Sequence, residues 1–324
     1  MFGTEEESGE FVFRDRKAKW GGSEMRDFLS IPRVMVIAGH TFTQLVRMKV
    51  FYFLVVFALI VLGIQFVDMS MLGAVSAVEQ NLRVMKGAGF FAMNTFSVIL
   101  ALSATALLLP KDIEDRTLYT ILCKPVQRLD YLLGKLMGVM LLVGVGLLVM
   151  DGLFCLILNS RVESIVSAQS EALQKMGRSE VYIAESVEAI RAQGVSWGMQ
   201  AGVLAVFLKA LVVASIALLV STFSTSTLFT IVITVVVVVI GLIQGEARDY
   251  FLEQQSLGKS SGMLEMTRWV ALLFPDFKLL GIEDGVINGR DVPLRLLWQV
   301  SLVAVLYSAI YTCLSWFVFR RKEL

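Results

Sequence analysis

Four stretches of this chain contain no acidic or basic side chain: Val50–Val67, Gly87–Leu109, Thr227–Gln244 and Leu296–Phe319. Two more, Leu136–Leu158 and Trp197–Phe223, hold one charge each, Asp151 and Lys209. A helix crosses a hydrocarbon layer of roughly 30 Å with about 20 mostly apolar residues. All six windows qualify, and soluble, loop-rich folds do not produce windows this long. Hydrophobic residues make up 56% of the 324 and charged residues 18%, against about 45–50% and 25% in soluble domains. The Val-Ile run at Thr230–Ile240 has strand-like composition. In lipid an isolated strand leaves its backbone unsatisfied, so a helix is expected there too. The fold class implied is an all-α membrane protein with six transmembrane helices.

The rest of the chain divides around these windows. Residues 1–31 are polar and expected to be mobile, ahead of a six-span domain over 32–324. No apolar core precedes a small-residue cleavage site near the start, so Val50–Val67 serves as an uncleaved signal anchor. Pro32 to Lys49 reads as an amphipathic helix with Val34, Ile37, Leu45 and Val46 on one side. It most simply lies along the inner membrane face; the alternative is a mere N-terminal extension of the first span. Segments 160–196 and 246–295 fall outside the membrane. The first has helical apolar spacing (Val162, Ile165, Val166, then Val181, Val187, Ile190) broken near Gly177. In the second, Met263–Phe274 is apolar enough for an interfacial or re-entrant helix, and Pro275 and the run Gly281 to Gly289 mark turns.

With six spans, both termini share one side. Assigning that side to the cytoplasm gives it the greater share of Lys and Arg. Trp197, Trp269 and Trp298 then lie near outer ends and Trp316 near an inner one, as an interfacial belt requires.

One inter-span segment combines charge with helical periodicity. Pro110 is expected to end the second span, because its ring removes a donor and obstructs the helix. Asp112, Glu114 and Asp115 then occupy the first turn of a new helix and Lys124 comes after its last, the order that suits the helix dipole. Leu118, Ile121 and Leu122 have i, i+3, i+4 spacing, and Pro125 stops the helix. A charged amphipathic helix between two spans is where a soluble partner can push on a membrane protein.

The string Glu114…Arg116-Thr117-Leu118…Leu122…Lys124-Pro125-Val126…Arg128…Tyr131-Leu132-Leu133-Gly134-Lys135 resembles the intracellular loop of type 2 ABC transporter permeases. Those read as an acid, Gly-Thr-Leu, Pro-Val-x-Arg, then an apolar stretch ending in Gly-Lys; Arg116 stands where many members have Gly. Ile37-Ala38…Thr41-Phe42…Arg47, Phe274-Pro275 and the C-terminal Phe319-Arg320-Arg321-Lys322-Glu323-Leu324 are similar to the subgroup of multicopper-enzyme maturation permeases. The resemblance implies a coupling helix, here Lys111 to Lys124, docking on a cytosolic ATPase. Asp112, Glu114, Asp115, Arg116, Leu118, Leu122, Pro125 and Arg128 would be its working residues. It also implies two copies of that separate ATPase and a second permease subunit, identical or paralogous. The location implied is the cytoplasmic (inner) membrane, with membrane lipid as surroundings and an external accessory protein as a further partner.

The chain itself carries no catalytic apparatus that can be read. No Gly-x-x-x-x-Gly-Lys-Ser/Thr loop occurs; Gly258-Lys259-Ser260 has Glu253 where the first glycine belongs. The single histidine, His40, excludes a two-histidine zinc motif, and Cys123, Cys155 and Cys313 are too dispersed for a disulfide framework or metal cluster. No cofactor is called for, and a net charge of +1 argues for no nucleic-acid partner. Asp151 and Lys209 are expensive inside a bilayer: either they line a path, or they form a structural ion pair between neighbouring helices, or Asp151 reaches interfacial water. Gly134 and Gly138 share a helix face and allow close approach. The function expected is the permease subunit of an ATP-driven exporter. A mechanotransmission or scaffold complex acting on an external partner is the alternative. An ion-coupled carrier would need more intramembrane acids than one.

Overall fold

The computed structural model describes residues 30–64, 78–114, 127–224, 226–256, 274–290 and 292–321. Within them the secondary structure is helical, without strands: α1 Ile31–Val46, α2 Lys49–Ile64, α3 Val78–Glu114, α4 Arg128–Lys175, α5 Glu180–Ala192, α6 Trp197–Phe223, α7 Thr227–Ser256, α8 Glu283–Ile287 and α9 Leu294–Arg321. Among the described residues five stretches are long and apolar enough to cross a membrane: Leu82–Leu108, Arg128–Lys175, Glu180–Phe223, Thr227–Tyr250 and Leu294–Arg321. The first sequence window, Val50–Val67, is helical over Lys49–Ile64, and its remaining residues lie outside the described ones.

α6 is the centre of the bundle. It packs against α3, α4, α7, α8 and α9. The apolar window of Glu180–Phe223 is 78% buried, against 22% for that of Thr227–Tyr250. One face of α7 therefore points outward, exposing Leu228, Val232, Val236 and Ile243, while Ile231, Ile233, Val237 and Val238 pack against the core. The strand-like composition of this stretch yields to the requirement that every backbone amide be bonded within its own segment.

Pro110 does not end the second span. It lies inside α3, which runs on to Glu114, so Lys111–Glu114 extend this helix rather than begin a new one. A proline inside a helix forfeits a backbone bond and costs about 3 kcal/mol or more. Tertiary anchoring just beyond it offsets that cost, because the carboxylate of Asp112 is held by two side chains of α4.

α4 is 48 residues long, about 72 Å at ~1.5 Å per residue, so it projects well beyond a bilayer. It ends where Gly177 adopts φ +67°. The Arg178 amide donates to the Leu173 carbonyl at 3.2 Å and the Gly177 amide to Gln174 at 3.1 Å. That pairing closes a helix end around a left-handed residue, which glycine adopts without strain. Ser179 then caps α5, accepting from the Tyr182 amide, and α5 runs back along α4 with Ile190, Val162 and Val166 in the core.

α1 begins at Ser30-Ile31-Pro32, with proline in the first turn where its missing amide costs nothing. It buries Val34, Ala38, Thr41 and Leu45 against the first turns of α4. The contact is close because α4 presents glycines. A Cβ on Gly138 would lie 2.6 Å from Thr41 Cβ and 2.8 Å from the Ala38 carbonyl oxygen; on Gly134 it would lie 2.6 Å from Ile37 Cβ. The opposite side of α1 exposes Ile31, Met35 and Val36. Gly138→Val is accordingly expected to destabilise by about 1–3 kcal/mol through overpacking. Gly39→Ala, where a Cβ meets nothing within 4 Å, should stabilise by up to about 1 kcal/mol through helix propensity. Thermal melts of the purified variants give both signs.

Candidate functional site

At the end of the bundle where α3 stops and α4 starts, polar side chains converge. The Tyr131 hydroxyl donates to Asp112 Oδ2 at 2.5 Å, and Lys135 Nζ lies 2.7 Å from the same oxygen. Tyr131 and Lys135 are one turn apart on α4, so both reach one carboxylate. Lys135 also donates to Gln44 Oε1 of α1 at 3.5 Å and sits 5.6 Å from the Tyr131 ring centroid. The Lys135 and Asp112 side chains are only 3% and 6% exposed. At such burial the pair is held by geometry and neighbouring donors rather than by solvent.

Arg128, the first residue of α4, reaches the last turn of α9. Its Nη1 donates to the carbonyls of Phe319 at 2.7 Å and Arg320 at 2.9 Å. A cation at a helix C-terminus satisfies carbonyls left without an intrahelical donor. The guanidinium also lies over the Phe319 ring, which stacks on Tyr131 at 6.1 Å between centroids. Asp130 is fully buried in the first turn of α4, and among the described residues neither carboxylate oxygen has a hydrogen-bond partner. The positive end of that helix is its compensation. One cluster thus fastens α1, α3, α4 and α9 together.

Of the residues singled out from sequence for coupling, Asp112 and Arg128 belong to this cluster, and Glu114 is the last residue of α3. Asp115, Arg116, Leu118, Leu122 and Pro125 lie outside the described residues, as does the rest of the Lys111–Lys124 helix beyond Glu114.

The two intramembrane charges do not pair with each other. Asp151 Oδ1 accepts from Gln200 Nε2 of α6 at 3.5 Å and from Cys155 Sγ at 3.6 Å. Lys209 is paired with Glu283 of α8. Lys209 lies about 18 Å along α6 from Trp197 at ~1.5 Å per residue, so the segment after α7, placed outside the spans from sequence with a re-entrant stretch allowed at Met263–Phe274, returns well into the bundle at Glu283. Phe277, Leu280, Ile282 and Val286 of this returning segment are buried. It also closes on α7: a Cβ on Gly241 would lie 2.6 Å from the Pro275 carbonyl oxygen, and one on Gly245 2.4 Å from Lys278 Cβ. At the mouth, Arg248 pairs with Asp276 and Asp249. Lys278 bonds Asp249 and Glu246, both at 2.9 Å. Those bonds raise the Lys278 ammonium above the usual lysine range.

The family model described as "ABC-2 family transporter protein" matches residues 35–324. The chain belongs to this family. No curated protein matches it at comparable significance. The chain is thus a multi-pass membrane permease component of an ABC transporter, a role that implies partnership with ABC ATPase subunits. In this ABC-2 permease, the motif residues Tyr131 and Lys135 prove to be the partners of Asp112, although their spacing alone named no partner. Gln44 and Glu283 carried no signal in the sequence beyond their polarity. Each is identified by packing that brings distant helices together.

Proposed function

We propose that this permease subunit works in a dimer of permeases, homodimeric or with a paralogue, and couples hydrolysis by two copies of a separate cytosolic ATPase to substrate export. It resides in the cytoplasmic membrane with both termini in the cytoplasm, and the chain performs no catalysis itself. The coupling element is the stretch from Lys111 to Lys124. The observation that supports this reading is the buried cluster at its base. Asp112 is the second residue of the stretch, Arg128 lies just after it, and Tyr131 and Lys135 tie the two flanking helices to each other. Force applied to the stretch would therefore move α3 and α4 as one body, with α1 attached through Gln44 and α9 through Arg128. Packed helices transmit such a push because interiors are close to incompressible.

Charge reversal at two positions tests the reading. The double variant Glu114→Lys/Arg116→Glu is expected to insert normally and to lose most of the permease-dependent stimulation of its ATPase. Reconstituted ATPase activity with and without permease reads the effect, and undiminished stimulation would count against docking at this stretch.

A further inference from the structure

The opposite end of α3 holds a cavity of about 600 Å³, a volume typical of small-molecule sites, which run to roughly 300–1,000 Å³. Arg83 and Lys86 of α3 line it, with Gln193, Ser196 and Trp197 where α5 passes into α6, and Arg290 from the turn after α8. Lys86 and Asp112 are separated by about 39 Å along the same helix at ~1.5 Å per residue. The cavity and the polar cluster therefore lie at opposite faces of the bundle.

Its electrostatics are one-sided. Three cationic side chains line the cavity and, among the described residues, no carboxylate does. Arg83 and Lys86 are three apart on one helix, a spacing at which like charges repel. Lys86 is only 6% exposed, and it makes no hydrogen bond or ion pair among the described residues. An ammonium on so enclosed a side chain, lining the cavity without a partner among the described residues, is stabilised by an anion there. The start of α6 adds to the same potential. Ser196, Trp197 and Gly198 line the cavity, and Ser196 is the N-cap residue of this 27-residue helix, with no side-chain cap bond. First-turn amides have no acceptor within their helix, and the helix dipole presents its positive end there. Two guanidiniums suit the paired oxygens of a phosphate. Trp197, 65% exposed at the rim, is the residue type that sits at lipid-headgroup depth.

We propose that this cavity is a binding site for a phosphate-bearing anion, held by Lys86, Arg83, Arg290 and the N-terminus of α6. The phosphate comes either from a phospholipid headgroup or from a soluble phosphate compound. Melting of the purified protein in dodecyl maltoside distinguishes them and requires no ATPase, so the outcome is separate from that of the coupling experiment. Added phosphatidylglycerol or inorganic pyrophosphate is expected to raise the melting temperature by several degrees. A rise with phosphatidylglycerol alone assigns the headgroup, one with pyrophosphate alone assigns a soluble ligand, and a rise with both assigns the shared phosphate chemistry. Lys86→Met and Arg290→Gln are expected to lose most of the shift. Arg290 is exposed on a turn, so its variant carries the test if Lys86→Met does not fold. No stabilisation by either compound overturns the site, and so does a folded variant that keeps the full shift.

Discussion

Lys209→Met is expected to lower stability by about 3–5 kcal/mol, the usual loss when one member of a buried ion pair is removed. The Lys209 and Glu283 side chains are 11% and 15% exposed. Among the described residues Glu283 Oε2 already has no hydrogen-bond partner, so removing the ammonium strands the whole carboxylate there. Met keeps most of the aliphatic volume, which limits the cavity left behind. The double variant Lys209→Met/Glu283→Gln should recover the larger part of the loss, since no charge then remains buried. Melts of wild type, both single variants and the double variant give the coupling between the positions, expected within about 0.5–3 kcal/mol for side chains in contact. Additive single effects would mean that the returning segment is held by its apolar residues alone. Asp151→Asn provides the contrast. Among the described residues Asp151 pairs with no cation and accepts only long bonds from Gln200 and Cys155, so its neutral isostere should change stability far less.

The second large effect is expected at the base of the proposed coupling stretch. Lys135→Met takes from the buried Asp112 carboxylate the ammonium paired with it, again costing about 3–5 kcal/mol. Tyr131→Phe removes that hydroxyl and should cost less, about 1.5–3 kcal/mol for a bond to a charged group. The stacking on Phe319 survives that change. The functional consequence differs from that at Lys209. Below the melting temperature, and under the proposed coupling, Lys135→Met should reduce permease-dependent ATPase stimulation, because α3 and α4 are no longer fastened beside the proposed docking stretch. Lys209→Met lies far from that end and should leave stimulation closer to wild type. Equal stimulation in the two variants, measured on folded protein, would separate the cluster from coupling and leave it a purely structural role.

Helical class, the positions of the long apolar stretches and the break at Gly177 are readable residue by residue. Each rests on a local requirement. A backbone in lipid must bond within its own segment, which overrides the β-branched composition of Thr230–Ile240. A left-handed turn favours glycine, and Ser179 stands ready to cap the next helix, α5. The family motif is local too: it marks Arg128, Tyr131 and Lys135 without naming their partners.

Tertiary packing decided whatever required two distant segments to meet. Lys209 could be recognised as a charge needing compensation, but nothing in its surroundings along the chain selects Glu283 over Asp151. Only the return of Phe274–Ile287 into the bundle makes that choice. Pro110 carries a strong local instruction to stop a helix, and α3 continues through it because Asp112 is anchored from α4. Gly134 and Gly138 announced that something would approach closely, while the identity of the visitor, α1, came from the three-dimensional arrangement. Backbone bonding and hydrophobicity are short-range and written along the chain. The choice of partner for a buried charge depends on which surfaces pack together, and no single stretch of sequence contains that information.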